Sequence, residues 1–572
     1  MSKTRRTATP AKSESTLKQR KSSRDIIAKK EKDFLDESKT QVRRAAPKLS
    51  ASAQALEDLK HVSWWSLLLR GQLVEYVLTH QRWILVIGLL PAQALWMIFI
   101  LVLERFAFLT RSSKKHAAKV DIVVKQIKSW NEEGRKKLMC TARPGWKVMS
   151  LRVGKYKKTH RNIDLSALNE IVEVDETRGV VRVEPLVSMG QLTTLLNSMG
   201  WTLPVIPELD DLTVGGLIAG YGVESQSHKS GLFQHICTAF EIVLSSGDIK
   251  YCTPTNENKE LFYAIPWSYG SIGFLMSAEL KLMRAKKYVH LTYHPFHTKR
   301  GFVEKFAQES LKEDPVDFIE ALVYSKNKGV VMTGNMVDDV PSGGNVNHIG
   351  YWYKKFFYSH AEQTMANSKT TTEEYIPLRE YYHRHTRGIF WELLDIIPFA
   401  NSSWFLFLFG WLLPIKVSLL KVTQTETTRR MYEENHVVQD MLVPVSTLSR
   451  ALSAFDELYD IFPLWLCPMK IPREEMRGMV GPTPDGEEMF VDIGAYGNPK
   501  APSYHHIDTS RAVEDFVREV HGFQGLYADS YHTRGEFRDM FDHTLLDKMR
   551  AKYNCLDAFP EPYDKVCKNA RL

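Results

Sequence analysis

The sequence predicts an α+β protein in two parts behind one N-terminal membrane helix, and three observations predict it. Trp83 to Leu103 is a run of 21 residues without a charge, long enough as a helix to cross a hydrocarbon core of ~30 Å. From Ile171 onward, short strand patterns alternate with short helix patterns and lack the steady βαβ rhythm of a doubly wound sheet. At 572 residues the chain is longer than one ordinary core organises, so two or three domains are expected. The boundaries read as a tail over 1–60, an anchor region over 61–118, a first domain over 119–287 and a second over 288–572.

The tail carries sixteen Lys/Arg and eight Asp/Glu between Met1 and Lys60, a surplus equal to the whole net charge of +8. Its Ser, Thr, Ala and Lys content is that of a disordered arm. Such an arm is either solvated without a specific partner or held by an anionic surface; no nucleic-acid partner is expected. The six cysteines form no C-x-x-C pair and no metal-ligand spacing, which fits reduced thiols on the cytosolic side. H-E-x-x-H is absent, and no metal is expected.

In the anchor region Trp83 stands where an interfacial residue would. Upstream of the run lie Arg70 and Arg82; downstream lie Arg105, Arg111, Lys114, Lys115 and Lys119. The positive-inside rule therefore puts the large C-terminal part in the cytosol. Pro91 and the amphipathic run Trp64 to Leu78 leave a re-entrant hairpin as the alternative to a single span. A second apolar stretch, Ile396 to Ile415, is broken by Pro398, Gly410 and Pro414. Its aromatic residues, Phe399, Trp404, Phe405, Phe407, Phe409 and Trp411, form either a surface that dips into lipid or part of a core.

In the first domain, Ile171 to Val174 and Val180 to Val183 flank a turn at Asp175 to Gly179, which predicts a hairpin. Ser188-Met189-Gly190-Gln191 is a Ser-x-x-Gln capping box, followed by Leu192, Leu195, Leu196 and Met199 at helical spacing, with Gly200 as C-terminal cap. Phe240 to Leu244 reads as a strand that turns at Ser246-Gly247-Asp248 and pairs with Ile249 to Cys252. Gly270 and Gly273 open a further strand.

Between these elements lies Glu208 to Ser230, ELDDLTVGGLIAGYGVESQSHKS. Asp210 and Asp211 lead into Thr213, Val214, Gly215 and Gly216, then Gly220 and Gly222. Glycines at this density permit positive φ or bring bare N–H groups close to a flat or anionic ligand. The stretch matches neither a Walker A loop nor a G-x-G-x-x-G fingerprint.

The order V-R-V-E-P, M-G-Q-L, T-V-G-G-x-x-x-G, G-D and S-x-G-F-L resembles the FAD-binding domain of the p-cresol methylhydroxylase/vanillyl-alcohol oxidase superfamily. Within it, Ser150 to His160, ELDDLTVGG, Ser227 to Ala239, Tyr381 to Phe399, Gln439 to Pro444, DIGAYG (Asp492 to Gly497) and Asp557 to Lys565 are similar to the delta-24-sterol reductases of the Diminuto/Dwarf/seladin type. The resemblance implies a PCMH-type FAD domain with a C-terminal cap, non-covalent FAD, NADPH as reductant, a sterol substrate and an endoplasmic-reticulum anchor. It places the diphosphate near Arg152, Gly154 and Lys155, with charge supplied by Lys155, Lys157 and Lys158. FAD contacts are further implied at Ser188, Met189, Gly190, Gln191 and Gly200, at Asp211, Thr213, Val214, Gly215, Gly216 and Gly220, and at Gly270 and Gly273.

Reduction of an isolated alkene needs a hydride donor and a proton donor. Candidates for the acid are Tyr382, His383 and His385 in YYHRHTR and Asp492 and Tyr496 in VDIGAYG. His-x-His on a strand would put both imidazoles on one side, and the bland alternative is a polar network that fixes the cap. Two other functional classes stay open: a flavin oxidase or dehydrogenase of another lipophilic substrate, and a non-catalytic sterol-binding scaffold.

Overall fold

Asp175 closes the hairpin expected after Ile171: its Oδ1 accepts from the Thr177 and Arg178 amides, and Gly179 takes φ +63°. The computed structural model of the chain describes residues 81–109, 113–148, 154–367 and 371–571; the basic tail, Trp64 to Leu78 and Arg152 lie outside them. The hairpin strands Ile171–Asp175 (β1) and Val180–Val183 (β2) join Cys237–Leu244 (β3), Ile249–Cys252 (β4) and Gly273–Lys281 (β5). These form an antiparallel sheet in the order β1-β2-β5-β3-β4. The strand after Gly270 and the Phe240–Cys252 hairpin therefore stand where the sequence puts them.

The second sheet has eight strands: Tyr288–Phe296 (β6), Phe318–Ser325 (β7), Lys328–Val337 (β8), Thr372–Pro377 (β9), Val437–Pro444 (β10), Leu464–Lys470 (β11), Met489–Gly497 (β12) and Phe523–Gln524 (β13). It is antiparallel, in the order β9-β6-β8-β7-β11-β12-β10-β13. After β13 the chain returns to the first sheet. The Met139 amide donates to Ala558 O at 2.7 Å, Arg550 donates to Ser271 O at 2.6 Å, and Gly154 bridges to Arg571. The first half of the fold is thus built from both ends of the described chain.

Ahead of the sheets, Arg82–Leu109 (α1) is one helix of 28 residues, about 42 Å long, and Pro91 does not interrupt it. By length and composition it suffices to cross a membrane. One side of it packs on the second half. Gln93 Nε2 donates to Pro414 O at 3.0 Å, and the Lys416 amide donates to Gln93 Oε1 at 2.9 Å. Trp83 meets Phe399 edge-on at 5.1 Å, so it serves as a packing residue here. Ser113–Glu132 (α2) follows, burying Val120, Val123, Ile127 and Trp130.

The stretch Ile396 to Ile415 divides in two. In the short helix Ser403–Phe409 and the turn after it, Trp404, Phe407, Leu408 and Trp411 recur at i, i+3, i+4, i+7 and face outward; Phe407 is 70 % exposed and Trp411 63 %. Phe405 is fully buried, edge-on to Phe399 and Trp404 and tilted against Phe409, so it belongs to the core and not to the outward surface.

Candidate active site

Thr213 is the extended N-cap of a short helix, Val214–Ala219, with Gly215 and Gly216 in its first turn and Gly220 ending it at φ −110°. Gly215, Gly216, Gly220 and Gly222 all have ordinary φ, so their need for glycine comes from closeness and not from handedness. A Cβ on Gly215 would lie 2.7 Å from Pro185 Cβ, and one on Gly220 would lie 2.8 Å from Gly216 O. Gly216 differs. Among the described residues its only neighbour there is Thr213 Oγ1 at 3.1 Å, and beyond it they leave the space open.

Ser188 and Gln191 form the reciprocal capping box at the start of helix Met189–Ser198. The expected contact of this helix end with a phosphate does not follow, because its amides are occupied. Met189 N donates to Leu212 O, Gly190 N to Asp210 O and Gln191 N to Ser188 Oγ. The acidic turn fills the place, and a Cβ on Gly190 would stand 2.5 Å from Asp210 Oδ1. Gly200, at φ +76° and exposed, only ends the helix. The helix instead supports the glycine stretch, through the Ser188–Thr213 bridge and Val214 N to Val187 O. Asp211 is taken by Lys416, and a Gly273 Cβ would meet Val243 O at 2.6 Å, a pairing requirement of the sheet.

Positive charge gathers beside this opening. Arg143 Nη1 donates to Thr213 Oγ1 at 3.0 Å. Lys157 Nζ donates to the carbonyls of Thr141 and Arg143 at 2.8 and 2.9 Å. Lys565 Nζ donates to Tyr269 O at 2.7 Å and Gly270 O at 3.2 Å. Arg571 reaches Leu526 O at 2.8 Å and also Ala528 O. The acceptors of these four cations are carbonyls and hydroxyls. Burial pushes the Lys565 amine down to about 7, with Arg550 and Lys157 adding to the fall. Of the lysines in the loop, Lys157 turns inward while Lys155 and Lys158 are exposed. Desolvated cations beside a glycine-lined opening suit a diphosphate, which supplies the charge that backbone carbonyls cannot. The residues fit FAD.

The second sheet meets the glycine stretch through a cluster of carboxyls and phenols. On β10 and β12, Asp440 pairs with Gly494 and Leu442 with Asp492, which puts Asp440, Asp492 and Tyr496 on one face. The Tyr221 hydroxyl, from the glycine stretch, donates to Asp492 Oδ2 at 2.9 Å; Asp492 Oδ1 is buried and has no hydrogen-bond partner among the described residues. Tyr496 donates to Asp440 Oδ1 at 2.6 Å, and Tyr527 also bonds Asp440. Burial, then the charge of Asp440, pushes Asp492 well above the usual carboxylate range. Burial pushes Asp440 up to about 6 against its bonds from Tyr496 and Tyr527. A carboxyl that burial makes hold its proton more tightly than usual, with one buried oxygen left without a partner among the described residues, is equipped as a proton donor.

The YYHRHTR segment is not a strand. Leu378–Tyr382 is a helix, and turns follow it. His383 Nε2 meets Thr193 Oγ1 at 2.8 Å and its Nδ1 meets Glu208 O at 3.2 Å, whereas His385 stacks on Phe390 with Nε2 3.4 Å from Glu320. The imidazoles share no partner. Burial pushes His385 down to about 4 and also lowers His383, so neither stores a proton at pH 7. Tyr382 accepts from Thr202 Oγ1 at 3.0 Å, inside the core. Between the histidines Arg384 grips Glu320 with two bonds and Glu224 with one, all 2.7 Å. This is the network that fixes the second sheet to the glycine stretch. Elsewhere Glu392, Asp395 and His436 approach one another within 4.8 Å. Both His436 nitrogens are engaged, by Glu392 and by Asn498, which describes an imidazolium ion pair.

Sequence reasoning named Lys157 as a source of charge for the diphosphate but passed over Tyr221, Asp440, Tyr527, Arg143, Lys565 and Arg571 as site residues. Asp440 had a signal: it is a lone carboxylate inside the apolar strand run of QDMLVP. Lys565 had one too, at the end of DAFPEPYDK. Arg571 had none.

Comparison with known proteins agrees with this geometry. Residues 134–253 match the model of an FAD binding domain. The chain is 53 % identical over 502 residues to the Delta(24)-sterol reductase of Rattus norvegicus, covering 87 % of this chain and 96 % of that protein. With the Delta(24)-sterol reductase of Homo sapiens the identity is 52 % over the same shares. With that of Arabidopsis thaliana it is 37 % over 519 residues, 86 % of this chain and 92 % of the relative. An FAD-binding half, a facing acid cluster and a likeness that runs through both place the chain in the Delta(24)-sterol reductase family.

Proposed function

We propose that the protein reduces a sterol side-chain double bond with FAD and draws its electrons from NADPH. The observation that carries this reading is the buried Asp492 carboxyl, its Oδ1 without a partner among the described residues and its Oδ2 held by Tyr221 of the glycine stretch, in a chain whose relatives are sterol reductases. FAD, when bound and reduced, supplies the hydride. Arg143, Lys157, Lys565 and Arg571 would hold its diphosphate, and the side of Gly216 that the described residues leave open would admit it. Tyr221 donates to Asp492 Oδ2 and so keeps the acid proton on Oδ1. From there the proton passes to the less substituted alkene carbon, leaving the developing positive charge on the more substituted one. The Arg384 network keeps the two halves in register during this transfer.

The outward face of Trp404, Phe407, Leu408 and Trp411, with Trp96 and Phe99 of α1 also exposed, supports docking to the endoplasmic-reticulum membrane, with the folded part in the cytosol. A sterol has a negligible concentration in water, so entry from lipid favours a pocket opening at that face.

Anaerobic mixing of the purified flavoprotein with NADPH tests the reading. Flavin bleaching, followed by recolouring on addition of a Δ24-unsaturated sterol and a product two mass units heavier, is expected. Recolouring by air alone, with no change in the sterol, would establish an oxidase instead.

A further inference from the structure

α1 is tied to the folded part at its start, in its middle and just past its end. At the start Arg82 donates to Leu420 O and, at 3.3 Å, to Thr423 Oγ1, while Trp83 packs on Phe399. Three turns on, Gln93 bonds Pro414 O and the Lys416 amide. Arg82, Val86, Leu90 and Gln93 are buried and recur at steps of three and four, so one stripe of the helix faces protein. At the far end four Cα steps separate Leu109 from Ser113 of α2, a reach of at most about 15 Å. One turn into α2, His116 is buried between Glu184 and Glu241, 2.8 Å from each.

A helix standing upright across a bilayer cannot keep these contacts. With Leu103 at the cytosolic interface, Gln93 would lie about 15 Å deeper, at the middle of a ~30 Å core. Gln93 would bring Lys416 with it, and the Lys416 ion pair with Asp211 would pull the glycine stretch into hydrocarbon. Arg82, with Leu420 and Thr423, would then stand at the opposite face from His116. The apolar character of α1 has another origin. Its inner stripe is apolar because Val86 and Leu90 enter the core, and its outer side, with Ile84, Leu95, Trp96, Ile98, Phe99 and Val102, is exposed and uncharged. Trp83, Phe399 and Trp404 stack in succession at 5.1 and 5.3 Å, which joins that outer side to the face of Phe407 and Trp411.

We propose that α1 lies in the plane of one leaflet, its outer side in lipid and its inner stripe on the protein, and does not cross the bilayer. The chain is then held on one face of the membrane, and the basic tail stays on the same side as the folded part. The inference rests on the membrane docking proposed above and adds its geometry. It also gives the tail a surface, because the sixteen Lys/Arg of Met1 to Lys60 remain beside the anionic cytosolic leaflet.

Full-length protein in sealed microsomes tests the topology. The tail contains no asparagine, and Lys21→Asn creates the acceptor sequence Asn-Ser-Ser, which is glycosylated only in the lumen. Asn401-Ser402-Ser403 is a natural acceptor in the folded part. No glycan on wild type or variant is expected, with an N-terminal epitope tag digested by protease added outside. A glycan on Lys21→Asn alone, with the tag protected, would establish a single span and overturn the inference. One glycan on wild type and two on the variant would keep the helix in one leaflet but place the protein on the lumenal face, against the cytosolic reading.

Nitroxide labels at Ile84→Cys, Leu95→Cys and Val102→Cys, one at a time on vesicle-bound protein, give a second measure, since the six native cysteines are buried. All three should report a similar depth, within about 5–10 Å of the headgroup boundary. A span would separate Ile84 from Val102 by about 27 Å and put Leu95 near the bilayer centre, which would overturn the inference. Wild-type protein that does not bind vesicles at all would remove the docking and the inference together.

Discussion

Tyr221 and Asp492 meet across the two halves of the molecule, the phenol from the glycine stretch donating to the carboxyl of the eight-stranded sheet at 2.9 Å. On the proposed function the bond ties the acid to the ligand side of the site and selects which oxygen carries the proton. Asp492→Asn keeps the bond and the shape but has no acid proton. Its sterol reduction should fall by about 100-fold or more, while FAD content and bleaching by NADPH stay at wild-type levels. Stopped-flow measurement of the two half-reactions checks this; equal loss in both would remove Asp492 from the role.

Gly215 and Gly216 are neighbours with different duties. Gly216→Val should give a folded protein that has lost its FAD, because the new side chain enters open space. Gly215→Val should fail to fold, because Pro185 Cβ is only 2.7 Å from the added carbon. Flavin absorbance per chain, beside a thermal melt of each variant, separates the outcomes.

Lys565 links cofactor binding to pH. In the free protein burial pushes its amine down to about 7, below the ordinary 10.5. An anion beside it favours the charged form. Below pH 6 the amine is already charged and binding takes up no proton; above pH 7 binding must take up one. FAD affinity should therefore fall as pH rises through 7, by up to about tenfold per unit. Calorimetry in buffers of different ionisation enthalpy should show proton uptake near one at pH 8.5, and Lys565→Met should abolish the dependence.

Arg384 has no exposed side-chain surface and holds Glu224 and Glu320, neither of them exposed. Arg384→Met leaves carboxylates buried without their cation and should cost about 3–5 kcal/mol of stability. Chemical denaturation reads the loss.

Phe407→Ser with Trp411→Ser should weaken binding to vesicles and raise the apparent KM for membrane-borne sterol, with FAD content unchanged. Each ring removes apolar surface worth ~25 cal/mol per Å² in lipid. Phe405→Ser, at a fully buried position of the same helix, should destabilise the protein instead, and the contrast between them is the measurement.

The elements of the first sheet were legible because local chemistry determines them: Asp175 and Gly179 make the hairpin turn, and Ser188 with Gln191 makes the cap. The glycine stretch was legible as a site but not in its geometry. Whether Gly190 faces a phosphate or Asp210 depends on a turn twenty residues later, which no local pattern reports. The His-x-His spacing misled for a similar reason. Its meaning depended on a strand, and the segment instead winds into Leu378–Tyr382 and turns under the pull of the buried Arg384. The acid pair was half legible: Asp492 stood out in VDIGAYG, but Asp440 needed the β10–β12 register to bring it to the same face.

The return of the chain to the first sheet has a consequence for biosynthesis. Met139 and Gly154 wait for Ala558 and Arg571, and Lys565, a principal cation of the FAD opening, comes after every strand of the second sheet. While the ribosome is still making the eight-stranded sheet, the nascent FAD half is an unfinished shell with its strands made and its charge missing. Closing loops of such length is slow, so that shell stays unfinished until the C-terminal segment has been made and has docked. A premature stop after residue 524 would spare the whole FAD-binding match and both sheets, yet leave a protein unable to retain the cofactor.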